Sequence, residues 1–160
     1  GQKVEDGEIH FRLSHRGVSY VPIDELTELM LQHARHHASP FGRPGSFNGR
    51  VGPVDGYLMN YTAQTTGATL SILKCTAVPT EELVEEPVDK ALRTGSRFRL
   101  ALESSPLGTS AVFWVYNDVF DQFSTFQEFA HSLEFRVAAR PMLPDMEISL
   151  SPGGVKAYGQ

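Results

Sequence analysis

The sequence predicts an α+β fold: a mixed β-sheet with helices, built from an N-terminal hairpin plus helix, a central hairpin and a C-terminal βαβ unit. Three observations carry that reading. Residues 111–116, Ala-Val-Phe-Trp-Val-Tyr, are a continuous apolar run, as a strand buried on both faces requires. Val119, Phe123, Phe126, Ala130 and Leu133 then recur at spacings of three and four, the rhythm of a helix with one buried face. Near the start, Ile9, Phe11 and Leu13 alternate with His10, Arg12 and Ser14, the period of a half-buried strand.

Taken in order, residues 8–21 read as a hairpin turning at His15-Arg16-Gly17. Pro22 suits a helix start, because its missing N–H costs nothing there. Asp24 and Glu25 follow, where the helix dipole favours anions. Ile23, Leu26, Met30, His33 and His37 share one face of that helix. Residues 39–56 are dense in Gly and Pro and read as a long surface loop. Residues 57–64 and 68–78 form the central hairpin, with Leu70, Ile72 and Lys74 on one side of the second strand and Ser71, Leu73 and Cys75 on the other.

An acidic stretch follows, and Ser96 can cap a short helix to about Ser104. A strand through Phe98, Leu100 and Leu102 fits the alternation nearly as well. The run 111–116, the helix through Phe126 and a returning strand at 136–140 complete the βαβ unit, whose two strands should be parallel. Residues 1–140 read as one domain, and 141–160 as an extended C-terminal tail containing Pro and Gly.

Composition narrows the function classes. At 160 residues with 41% apolar content, the chain can close a core without staples. A net charge of −5 argues against a nucleic-acid platform, which needs clustered Lys and Arg to neutralise phosphates. No apolar run reaches the length of a membrane span, so no direct insertion by this segment is expected. With one cysteine, Cys75, no internal disulfide is available.

His33 and His37, four apart, could point two imidazoles at one metal from one helix face. The zincin pattern needs a Glu after the first His, and Ala34 stands there. A third ligand would have to come from afar, from His10 or His15. The plainer reading is that late-helix histidines complement the helix dipole. No metal and no cofactor are therefore expected, with His33 and His37 as the metal candidates. Cys75 sits mid-strand, where a thiol is a small core hydrophobe more often than a nucleophile. Glu81, Glu82, Glu85, Glu86 and Asp89 offer a cation site at best, and a charge run is usually a solvated segment. No catalytic residue is assigned. Phe41, Arg43, Phe47, Arg50 and Val51, apolar and cationic residues in a segment expected at the surface, are the candidate partner-contacting residues.

Glu86-Pro-Val-Asp-Lys-Ala-Leu-Arg-Thr-Gly-Ser-Arg-Phe98, Phe113-Trp-Val-Tyr-Asn-Asp-Val-Phe120, Val137-Ala-Ala-Arg-Pro141 and Ser151-Pro-Gly-Gly154 resemble a family of uncharacterised bacterial proteins. The resemblance covers residues 50–160. In that family such a domain follows an N-terminal membrane segment similar to that of the ExbD/TolR biopolymer-transport proteins. Because no polar constellation poises a nucleophile, base or metal, the expectation is a non-enzymatic interaction domain with a protein partner or, as a homo-oligomer, a second copy. The resemblance implies that it is the water-soluble part of a membrane-anchored protein in the bacterial cell envelope, with a transport complex as partner. It implies no catalytic residue. The alternative from the residues is a small-molecule- or metal-binding domain using the His33/His37 helix face and the Gly-rich loop.

Overall fold

The computed structural model describes residues 7–38 and 43–150. The chain is α+β, and its elements fall into two compact units. The first holds strands β1 (Glu8–Ser14), β2 (Gly17–Val21), β6 (Ser110–Tyr116) and β7 (Arg136–Met142) with helices α2 (Val88–Ala91), α3 (Arg97–Glu103) and α4 (Phe120–Ser132). The second holds α1 (Ile23–His37), β3 (Gly45–Val54), β4 (Tyr57–Thr66), β5 (Thr69–Pro79) and β8 (Ile148–Leu150). The span 1–140, taken from sequence as one domain, thus contributes to both units.

In the first unit the strand order is β2-β1-β6-β7. β1 runs antiparallel to β2 and parallel to β6, and β6 runs parallel to β7, so the sheet is mixed and the βαβ unit is present. Residues 111–115 of β6 are buried on both faces, as their unbroken apolar run requires. On the helix side Phe11, Phe98, Phe113 and Phe126 are all at most 1% exposed. Their rings meet at centroid separations of 4.9 Å (Phe11–Phe98), 5.3 Å (Phe11–Phe113) and 5.1 Å (Phe98–Phe126), the range of attractive aromatic pairing. Residues 97–103 are helical: the Ser96 hydroxyl accepts the Arg99 N–H at 3.0 Å, which selects the capped helix over the strand.

Glu85 and Glu86, read from sequence as part of a solvated acidic run, are built into this unit. The Glu85 carboxylate is 10% exposed, lies 3.2 Å from Arg12 Nη1 and accepts the Ser14 hydroxyl. The Glu86 carboxylate accepts the first two N–H groups of α3, from Arg97 at 3.1 Å and Phe98 at 2.9 Å, donors that the helix itself leaves unsatisfied. Its backbone exchanges two hydrogen bonds with Val18, of 2.8 and 2.9 Å. Gly17 meets the same segment at φ 134°, where a Cβ would collide with the Glu86 carbonyl. Glu81, Glu82 and Asp89 remain exposed.

The second unit is an antiparallel sheet in the order β3-β4-β5-β8, with α1 packed on one face through Leu26, Met30, Leu31 and Ala34. Two expectations change here. Residues 45–54, expected in a loop, form strand β3, paired with β4 from Gly45–Thr65 to Val51–Met59. In β5 the alternation breaks: Thr62 pairs with Lys74 but Ala63 pairs with Ile72, so Leu73 is an extra residue. Such a bulge shifts the phase of every side chain beyond it. Leu70, Ile72, Cys75 and Ala77 are therefore buried, while Leu73 and Lys74 are exposed. Residues 141 and 142, assigned to the tail, complete β7, and 148–150 form β8 against Cys75–Ala77.

Candidate functional site

Helix α1 ends in Arg35, His36 and His37, cations or potential cations at the negative end of its dipole. Its carboxylates, Asp24, Glu25 and Glu28, all lie in the first two turns. The C-terminal half of α1 and β3 enclose an open cleft of about 620 Å³, lined by Leu29, His33, His36 and His37 on one side and by Arg50 and Val51 on the other. Among the described residues no carboxylate lines it.

Tyr61 anchors this arrangement from β4. Its ring is 3% exposed, and its hydroxyl lies 2.5 Å from His33 Nδ1. Burial pushes the phenol pKa up, so the group stays protonated. Gly49, the β3 residue paired with Tyr61, makes room for the ring: a Cβ there would overlap it. His33 and His37 stack at 4.1 Å with 26° between their planes. The His37 Nδ1–H donates to the His33 carbonyl at 2.9 Å, which leaves only Nε2 of that ring for anything else. Desolvation first, then the neighbouring His37 and His36, hold the His33 pKa below its ordinary value.

The two metal candidates, His33 and His37, are thus adjacent, yet each already spends its Nδ1 within the protein. His10, suggested as a third ligand, is buried in the first unit, where its Nδ1 accepts the Trp114 indole N–H at 3.0 Å. His15 lies in the exposed β1–β2 turn. Among the described residues no three His, Cys, Asp or Glu side chains form a metal-holding group. The Cys75 thiol is buried, with its pKa pushed up to about 11, which suits a core position and not a nucleophile.

Of the candidate partner residues, Phe41 lies outside the described residues. Phe47, Arg50 and Val51 fall on β3, and Arg43 lies two residues before it. Phe47, Gly49 and Val51 face α1, with the Phe47 ring 6.3 Å from that of Tyr61. Arg50 borders both faces: it lines the cleft, and its Nε–H donates to Asn60 at 2.7 Å on the opposite face. That face also carries the Thr62–Asn48 hydrogen bond of 2.8 Å and a shallow depression of about 650 Å³ that includes Lys74, Thr76 and Glu147.

What sequence reasoning missed is the kind of surface these residues make: the outer edge of a sheet. A sheet edge presents unpaired N–H and C=O groups, and proteins ordinarily blunt it. The described residues show three such edges blunted. β2 is bridged by Glu86 at Val18. β7 carries Arg136, Arg140 and Pro141. β8 is three residues long. β3, ten residues long, has regular pairing along 45–51 on its inner side and, among the described residues, no strand on its outer side. No protein-family model, curated protein or solved structure matches this chain.

Proposed function

We propose that this chain is a non-enzymatic interaction domain whose partner-contacting element is the outer edge of β3. The observation that supports it most is the contrast among edges: among the described residues three are bridged, charged or short, and the longest is open. The groups that a catalyst would draw on serve structural ends instead. Cys75 is a buried core residue, His10 is an acceptor for Trp114, and Glu85 and Glu86 hold Arg12 and α3. A membrane-anchored setting in the bacterial envelope, with a transport complex as partner, rests on the resemblance described from sequence and on no structural observation.

Photo-crosslinking in the native host tests the edge assignment. A benzophenone side chain placed at Asn48 on β3 should give partner adducts, and the same side chain at Ala138 on β7 should give few. Equal yields from both positions contradict the assignment.

A further inference from the structure

We infer that the cleft between α1 and the outer edge of β3 seats an extended acidic peptide, added to the sheet as a fifth strand. This deepens the proposed function and rests on the edge reading. The geometry supplies two kinds of recognition at one place. The backbone of residues 45–51, open on its outer side among the described residues, offers main-chain hydrogen bonds, which bind an extended segment irrespective of its sequence. The rest of the sheet is antiparallel, and an antiparallel fifth strand continues the same ladder. Helix α1 walls the cleft on one side of that edge, so alternate side chains of the added strand meet different surroundings.

Charge then selects the occupant. The protein carries a net −5, yet the cleft lining holds one permanent cation, Arg50, three imidazoles and, among the described residues, no carboxylate. Side chains of the added strand opposite Gly49 and Val51 face the helix, where Leu29 is 38% exposed and Phe47 is half-buried, an environment for apolar residues. The side chain opposite Arg50 faces away from the helix, beside a guanidinium held by Asn60 on a face that also carries Lys74 and the Glu147 carboxylate, and a carboxylate there gains a cross-strand ion pair with Arg50. The fitting sequence alternates Asp or Glu with apolar residues. A basic peptide is disfavoured by repulsion from Arg50.

Selection from a display library of random twelve-residue linear peptides on the full chain tests this. Selected sequences should be enriched in Asp and Glu alternating with apolar residues. By fluorescence polarisation, a selected peptide with its carboxylates changed to amides should bind at least ten-fold more weakly, and Arg50→Glu should weaken the acidic peptide to a similar extent. N-methylation of alternate peptide amides should abolish binding, because it removes the ladder. Binding that N-methylation blocks but amide substitution leaves unchanged overturns the acidic preference and leaves the edge reading standing. Acidic peptides whose binding survives N-methylation at every position overturn strand addition and the edge reading with it. A stable dimer in sedimentation, dissociated by Asn48→Lys, makes a second copy of the chain the occupant and overturns the peptide proposal.

Discussion

The Trp114 indole N–H donates to Nδ1 of His10 across the β1–β6 pair, and both side chains are more than nine-tenths buried. An indole N–H can only donate, so His10 Nδ1 is the acceptor and the neutral ring carries its proton on Nε2, 3.8 Å from Glu8. Burial, with Arg140 adding to it, lowers the His10 pKa from 6.5 to about 4. The folded protein therefore takes up this proton only near pH 4, and the unfolded chain takes it up near pH 6.5. The resulting stability is present in full above the unfolded value and drains away as pH falls towards 4, amounting to about 3 kcal/mol at most. His10→Asn keeps an acceptor for Trp114 without a titrating ring. Urea midpoints between about pH 7.5 and 4.5 should fall less steeply for the variant than for the parent. Parallel slopes contradict the assignment.

Arg12 and Glu85, 14% and 10% exposed, form an ion pair of 3.2 Å, and Arg12 also lies over the Tyr116 ring at 4.9 Å. Removing one partner leaves the other as a largely buried charge. Glu85→Ala should lower stability by about 3–5 kcal/mol in denaturant melts, and replacing both residues with apolar ones of similar volume should recover most of that loss. A cost under about 1 kcal/mol for the single change shows the pair to behave as a solvated one.

Gly17 adopts φ 134° against the Glu86 backbone, so Gly17→Ala combines backbone strain with a steric collision. A loss of about 2 kcal/mol or more is expected on thermal unfolding. Gly67, at φ 62° with open space around it, is the control: Gly67→Asn should cost far less, since Asn tolerates that conformation.

The parts of this fold that read easily from sequence are those whose signal is local. β6 announces itself as an unbroken apolar run, and α4 with the turn before it places Val119, Phe123, Phe126 and Ala130 in the core at helical spacing. The N-terminal hairpin and α1 follow from alternation and helix-start chemistry in the same way. The misread parts have reasons that lie far along the chain. Gly49 looks like loop punctuation, but it is there because the Tyr61 ring lies across it on the paired strand. Glu85 looks solvated until Arg12, 73 residues away, is brought against it. The bulge at Leu73 inverts the alternation that any strict two-residue period assumes. The site residues on β3 stand out in the sequence only as apolar and cationic side chains in a surface segment. That their backbone forms an edge, open among the described residues, depends on pairing with β4 and on the strand order of the whole sheet, which no local pattern encodes.

Residue-resolved amide hydrogen exchange, measured with and without a saturating library-selected peptide, tests most directly whether β3 is the docking edge. If it is, alternate amides between Ser46 and Val51 slow at least ten-fold on binding, because every second N–H of an edge strand points outward. The amides of β7 stay unchanged. Peptide-dependent protection that falls on β7 or on β2, with the β3 amides exchanging at the same rates in both states, contradicts the assignment of β3.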